Sequence, residues 1–133
     1  MKLAAWNCQG LSNSPAVRGL SNFQKSEKVD VLFLLETKLD EKRLSVFKQK
    51  LDLGNMVAVD GVGKGGIAVF WRGGIDLVLR SSSRNHIDVE ITVDDGRKWR
   101  FTGVYGESRA ELKYQTWDML RDLLFEHVNN PLP

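Results

Sequence analysis

Eight residues, 31–38, constrain the fold of this chain more than any other stretch. Five consecutive apolar residues, Val31–Leu35, lead directly into Glu36, Thr37 and Lys38. An apolar run this short, bounded by charge, is typical of a strand that is covered on both faces. An acid directly after such a strand is held rigidly at the edge of a sheet, where side chains can converge on a ligand. The alternative is that Glu36 is a solvated charge that begins the next turn.

Composition indicates one ordinary globular domain. Of the 133 residues, 42% are hydrophobic and 27% are charged, which is usual for globular proteins. The net charge of +2 is too small to indicate a nucleic-acid partner by itself. The single cysteine, Cys8, excludes an internal disulfide and favours a reducing, intracellular compartment. No apolar run approaches the roughly 20 residues that span a membrane, and we expect no signal peptide.

The first half of the chain alternates predicted strands and helices, the beginning of an α/β pattern. A short apolar run predicts a strand ending near Asn7, and Ser14-Pro15 predicts a helix with Ser14 as its N-cap. After the strand at Val31–Leu35, Asp40 is expected to cap a second helix, whose apolar stripe is Leu44, Phe47 and Leu51.

The second half is predicted to be mostly antiparallel. Short loops separate apolar runs at residues 56–59, 67–71 and 77–79, and residues 81–83 are expected to break the last of them. An alternating strand then leads into a hairpin, for which a three-residue loop with left-handed Gly96 would set Val93 opposite Trp99. A stripe of period 3.6 predicts a long helix over residues 111–128.

The glycine-rich segment 61–66 invites a phosphate-binding interpretation. Gly61, Gly63 and Gly66 match the letters of G-x-G-x-x-G. The segment precedes a strand, however, whereas nucleotide-binding loops need a helix whose N-terminus faces the phosphates. We therefore expect no nucleotide cofactor and interpret the segment as a hairpin connection.

Four motifs follow one another along the chain, namely Ala5-Trp6-Asn7-Cys8-Gln9-Gly10, Leu34-Leu35-Glu36-Thr37-Lys38, Gly66-Ile67-Ala68-Val69-Phe70 and Phe101-Thr102-Gly103-Val104-Tyr105-Gly106. Together they resemble the endonuclease/exonuclease/phosphatase superfamily, the metal-dependent phosphodiesterases that include DNase I and the apurinic endonucleases. In detail they look most like the endonuclease domain of plant LINE-type (non-LTR) retrotransposons. The resemblance covers the whole chain and implies a mixed α/β fold of the DNase I-like type, a four-layer α/β/β/α sandwich.

The resemblance also implies roles for individual residues. Glu36 would be the metal ligand, holding one Mg²⁺ or Mn²⁺ in a single site. Asn7 would help to set the metal and its surroundings, and the Tyr105 hydroxyl would donate to a phosphoryl oxygen. Lys38 and, more weakly, His86 are candidate substrate contacts. The alternatives are a core aromatic for Tyr105 and a solvated side chain for Lys38.

The later motifs of the superfamily are not in the sequence. It contains no Gly-Asp-x-Asn and no Asp-His pair, and its two histidines are His86 and His127. Without those groups nothing activates the attacking water, because a carboxylate that ligates the metal is not free to act as a base. We therefore expect residues 1–133 to be the N-terminal half of one such domain, inactive alone and able to nick DNA only when completed.

Two other interpretations remain open at this point. The chain could be a non-catalytic remnant or weak interaction module, or a fragment of a phospholipid or inositol phosphate phosphodiesterase of the same superfamily. A retrotransposon origin would imply a nuclear location and DNA as the partner, with no role at a membrane.

Overall fold

In the residues that the structure describes, the fold consists of twelve helices and strands. The computed structural model describes residues 1–61, 64–92, 96–105, 110–114 and 124–128, with backbone only for residue 105 and the last two ranges. In chain order the elements are β1 Lys2–Asn7, α1 Ser14–Glu27, β2 Val31–Leu35, α2 Glu41–Leu44, α3 Phe47–Leu51, β3 Asn55–Val59, β4 Ile67–Trp71, β5 Asp76–Ser83, β6 His86–Thr92, β7 Lys98–Tyr105, β8 Ala110–Tyr114 and β9 Leu124–Val128.

The strands form two sheets. The first sheet has the order β3-β4-β2-β1-β9, in which β1 is parallel to both of its neighbours and β4 is antiparallel to β2 and β3. The second sheet has the order β5-β6-β7-β8 and is antiparallel throughout. The mixed α/β class predicted from the sequence is confirmed, since three helices accompany two packed sheets in the described part of the chain.

Strand β2 lies at the centre of the first sheet and is buried on both faces, as its apolar run predicted. Leu32 and Leu34 belong to a core cluster shared with the helices, whereas Val31, Phe33 and Leu35 belong to the cluster between the two sheets. Alternate residues of a strand point to opposite faces, so a strand packed on both sides must be apolar at every position.

The two sheets approach each other closely at Gly103 in β7. A Cβ placed on this residue would lie 2.9 Å from Cδ2 of Phe33 and 3.7 Å from Cδ2 of Leu35. Real carbon contacts at 2.9 Å do not occur, so β7 can pack here only because residue 103 lacks a side chain. The contact fixes β7 over the second half of β2.

The helices begin slightly differently from the prediction. The N-cap of α1 is Asn13, not Ser14, because the Asn13 side chain accepts a hydrogen bond from Ala16 N at 2.8 Å. Asp40 does cap the second helical segment, accepting from Arg43 N at 2.8 Å. That segment is divided into α2 and α3, because the hydroxyl of Ser45 donates to the Lys42 carbonyl at 2.8 Å and competes for a helical acceptor. Its predicted apolar stripe is buried at Leu44, Phe47 and Leu51.

The hairpin of β6 and β7 has the predicted facing but a different register. Ile91, not Val93, lies opposite Trp99, and Thr92 pairs with Lys98. A shift of two residues leaves every side chain on its predicted face, because the side-chain period of a strand is two. Gly96 is left-handed as expected, with φ +85°.

Strand β5 departs from the prediction in its extent and its pairing. It runs through residues 81–83, because Ser81 and Ser83 each hydrogen-bond to His86 on the partner strand. It also pairs with β6 in the second sheet rather than with β4, so only β3 and β4 form the predicted antiparallel pair.

The predicted helix over residues 111–128 is wrong for its described parts. Residues Ala110–Tyr114 form β8 beside β7, and Leu124–Val128 form β9, parallel to β1. The first of these stretches also alternates apolar and polar residues, so the pattern is compatible with a strand, and pairing with neighbouring strands decides between them. Residues 115–123 lie outside the described part of the chain.

Candidate functional site

The carboxyl ends of β1 and β2 place two of the predicted site residues at one edge of the first sheet. These strands are parallel, with Asn7 paired to Leu35, so Asn7 ends one strand and Glu36 follows the other. Backbone hydrogen bonds continue past the strands, from Cys8 N to Leu35 O at 2.8 Å and from Gly10 N to Glu36 O at 2.8 Å. We call this edge, residues 7–11 and 36–39, the rim.

Asn7 is held tightly in the rim. The residue is buried, with a relative exposure of 6%, and its Oδ1 accepts a hydrogen bond from Gln9 N at 3.1 Å. This bond closes the turn in which Gln9 and Gly10 have φ of 50° and 92°. An asparagine side chain suits this position because it can bond to the backbone two residues on.

Glu36 reaches solvent from the rim. Its side chain keeps 22% of its accessible surface, and its Oε1 lies 3.7 Å from Nζ of Lys38. The backbone at Glu36 and at Lys38 is left-handed, with φ of 58° and 60°. Non-glycine residues adopt this conformation at a cost, and it persists only where the surroundings determine it.

Cys8 is buried near Glu36, and its thiol is unreactive. Burial is the main cause that raises the pKa of its thiol far above the usual range, and the charge of Glu36 raises it further. A thiol in this environment stays protonated and unreactive. The structure thus agrees with a packing role for Cys8 and gives it no task as a nucleophile.

Thr37 is a rim residue that belongs to the second motif but was given no role from the sequence. It is completely buried, its N–H donates to Gly66 O at 3.1 Å, and its carbonyl accepts from Leu11 N at 3.1 Å. The glycine-rich segment gave a hint of this packing, because closely spaced glycines mark close backbone approach. The segment connects antiparallel strands β3 and β4, as expected for a hairpin connection and not for a nucleotide loop.

Of the remaining predicted residues, Lys38 also lies in the rim, whereas His86 and Tyr105 lie on strands of the second sheet. Lys38 belongs to the rim beside Glu36, with its Cδ within 3.3 Å of a Cβ placed on Gly10. Tyr105 is the last residue of β7, two positions after Gly103, and only its backbone is described. His86 begins β6 in the second sheet, where its ring nitrogens lie near Oγ of Ser81 and Ser83.

The donor groups of the rim fit part of a hard-cation site. Glu36 offers one partly exposed carboxylate, and Mg²⁺ is commonly bound through one or two carboxylates together with waters and substrate phosphates. Within the described ranges, no group of three or more His, Cys, Asp and Glu side chains could hold a metal by itself. The described rim residues could therefore supply one ligand, and a complete site would need further oxygen donors.

Comparison with known proteins places the chain in a family. Residues 4–133 match the Endonuclease/Exonuclease/phosphatase family. The chain belongs to this family. No curated protein matches the chain. In the described part of the chain, no helix combines the length and the apolar character needed to cross a membrane.

Solved structures resemble the fold of this family member at low sequence identity. One is the 3' phosphatase NExo from Neisseria bound to a product DNA hairpin, with 20% identity, a TM-score of 0.50 and coverage of 68% of this chain and 36% of that one. Another is the AP endonuclease LMAP from Leishmania major, with 18% identity, a TM-score of 0.51 and coverage of 76% and 38%. The chain thus spans little more than a third of either structure, and both support the DNase I-like fold.

Proposed function

We propose that this chain supplies the metal-binding part of a phosphodiesterase site that nicks DNA, as the endonuclease domains of plant LINE-type retrotransposons do. One observation carries the proposal. Asn7 ends β1 and Glu36 directly follows the parallel strand β2 at one rim, and the acid is open to solvent. A retrotransposon endonuclease would act in the nucleus.

Glu36 is the proposed ligand of one Mg²⁺ or Mn²⁺ ion. When bound, the ion would supply positive charge to a phosphate oxygen. Asn7 keeps the β1 end of the rim in place through its bond to Gln9 N. Lys38, whose side chain is 38% exposed beside Glu36, is the proposed contact to a phosphate.

The chain is proposed to be catalytically incomplete. It lacks the Gly-Asp-x-Asn and Asp-His motifs, and it spans 36% and 38% of the two solved neighbours. Activation of water and protonation of the leaving group need a positioned base and acid. We infer that these groups come from polypeptide outside the 133 residues, so that the chain alone does not turn over.

DNA is the proposed substrate because of the motif resemblance to retrotransposon endonucleases. The Neisseria neighbour, a 3' phosphatase, is bound to a DNA hairpin, which is compatible with this choice. The net charge of +2 adds little, so any attraction to DNA must come from local groups such as Lys38.

A plasmid-nicking assay tests the proposal. The chain is incubated with supercoiled DNA and Mg²⁺, alone and together with a polypeptide that carries the later family motifs. We expect no nicking by the chain alone and clear nicking by the mixture. Glu36→Gln should reduce nicking by about 100-fold, because it removes the proposed metal ligand itself and changes to groups that only orient a ligand already cost about 10–100-fold. Glu41→Gln, at an exposed acid in α2, is the control.

Each other outcome leads to a different function. Equal nicking by wild type and Glu36→Gln would remove Glu36 from the reaction. No nicking by any mixture would favour a non-catalytic remnant. Hydrolysis of a phosphoinositide with no nicking of DNA would favour the lipid-directed branch of the superfamily.

A further inference from the structure

The glycine-rich segment between β3 and β4 packs directly on the backbone that carries Glu36. Thr37 N donates to Gly66 O at 3.1 Å, and Lys38 N donates to Gly65 O at 2.8 Å. Gly61 N donates in turn to the carbonyl of Leu39 at 3.0 Å. We call Gly61, Gly65 and Gly66 the glycine clasp.

The clasp can pack this closely only because Gly61 and Gly66 have no side chains. A Cβ on Gly66 would overlap Oγ1 of Thr37 and would lie 3.1 Å from Lys38 N. A Cβ on Gly61 would overlap the backbone of Gly65 and Gly66. Thr37 is completely buried, so its side chain has no free space into which to retreat.

The opposite side of the same backbone is held by the turn after β1. Gly10 N donates to Glu36 O at 2.8 Å, and Leu11 N donates to Thr37 O at 3.1 Å. The segment 36–38 is therefore fixed between two loops, which explains how Glu36 and Lys38 can both keep a left-handed backbone.

From this geometry we infer that Gly66 is a positioning residue for Glu36. Its bare Cα lets the clasp fix the Thr37 backbone, and so fixes the point from which the Glu36 carboxylate reaches the rim. A simple hairpin connection would need only the positive φ of Gly65 and Gly66, 66° and 92°. It would not need the close approach to Thr37. The inference rests on the proposed function, in which Glu36 binds the metal.

Binding of Mn²⁺, followed by electron paramagnetic resonance, tests the inference without catalysis. Gly66→Ala should weaken Mn²⁺ binding by about tenfold, the smaller loss found when groups that orient a metal ligand are changed. The matched control is Gly74→Ala. Gly74 has φ of 90°, close to the 92° of Gly66, but the nearest atom to its added Cβ is the flexible Nη1 of Arg72 at 3.3 Å.

A second substitution tests whether the effect passes through Thr37. Thr37→Ala removes the hydroxyl that a Cβ at residue 66 would overlap. The double variant should therefore bind Mn²⁺ at least about threefold more tightly than Gly66→Ala alone, because residues in contact do not act additively. Equal binding by the two would overturn the inference.

Alkylation of Cys8 supplies a readout that needs no metal. This is the only cysteine of the chain, it is buried, and its N–H bonds to Leu35 O beside Glu36. If the clasp fixes the rim, iodoacetamide should label Cys8 at least about tenfold faster in Gly66→Ala than in Gly74→Ala, because local opening exposes the thiol.

The outcomes separate the inference from the proposed function. Equal Mn²⁺ affinity of wild type and Glu36→Gln would refute the proposed function, and Cys8 labelling would then decide the positioning role. A difference between those two proteins, with Gly66→Ala equal to wild type, would refute only the positioning role. Equal Cys8 labelling of Gly66→Ala and Gly74→Ala would also refute it.

Discussion

Replacing Lys38 by methionine should strengthen the binding of Mn²⁺ at Glu36. In the structure Nζ of Lys38 lies 3.7 Å from Oε1 of Glu36, where it neutralises the carboxylate that the metal would use. At this separation two unit charges attract by about 1 kcal/mol in a medium like water and by about 4 kcal/mol at an effective dielectric constant of about 20.

The smaller value applies because both side chains reach solvent. Lys38 keeps 38% and Glu36 keeps 22% of the accessible side-chain surface, and exposed ion pairs contribute at most about 1 kcal/mol. Removing a competitor of that strength should tighten Mn²⁺ binding about fivefold. Methionine retains most of the aliphatic length that packs over Gly10, so the packing loss is small.

The assay is a titration of free Mn²⁺ by electron paramagnetic resonance at low ionic strength. Lys98→Met is the control, because Nζ of Lys98 lies 3.6 Å from Oε1 of Glu90 in the second sheet, away from the rim. Both variants lose one positive charge, so their difference isolates the local pair. Added salt should reduce that difference. Equal affinities in the two variants, or weaker binding by Lys38→Met, would refute the competition.

Two further predictions concern stability. Gly103→Ala should destabilise the chain by about 1–3 kcal/mol in urea unfolding, because its Cβ would press on Phe33 at 2.9 Å. The control is Gly54→Ala, whose added Cβ would have no atom within 4 Å. Equal stabilities of the two variants would contradict the close packing of the sheets. A hydrogen bond from Arg100 is the main cause that lowers the pKa of Asp88 below its usual 3.8. The ionised Asp88 carboxylate therefore contributes its full stabilisation at pH values above 3.8, and this contribution is lost as the pH falls through the lower pKa of the folded state. Asp88→Asn removes the titrating group, so the free energy of unfolding of this variant should fall less steeply below about pH 4. Parallel acid profiles of the two proteins would contradict this.

The first half of the fold could be predicted because its signals are local. A run of five apolar residues specifies a strand covered on both faces, and Leu32 and Phe33 do lie in different core clusters. The Asp40 cap is likewise a contact between residues three apart. Where two local caps compete, as Asn13 and Ser14 do, the sequence leaves an uncertainty of one residue.

The second half could be predicted less well because its structure depends on pairing between distant residues. Alternation in β6 and β7 determines which face each residue occupies, but Trp99 keeps its face whether it lies opposite Ile91 or Val93. The stretch Ala110–Tyr114 satisfies both a helical stripe and an alternating pattern, and its partner strand β7 determines the outcome. The neighbours of a strand cannot be deduced from its own period.

The candidate site depends both on local sequence patterns and on contacts between distant residues. The position of Glu36 follows from a local pattern, an acid directly after a buried strand, and its proximity to Asn7 follows once β1 and β2 are parallel. Its left-handed backbone could not be foreseen, since Gly66 and Thr37 are 29 positions apart in the chain and meet only in the fold. Segment 61–66 does connect two antiparallel strands, as predicted. The prediction did not include the packing of this segment against the backbone next to Glu36. If that packing sets where the carboxylate points, the glycine clasp is as much a part of the proposed metal site as the strand before Glu36.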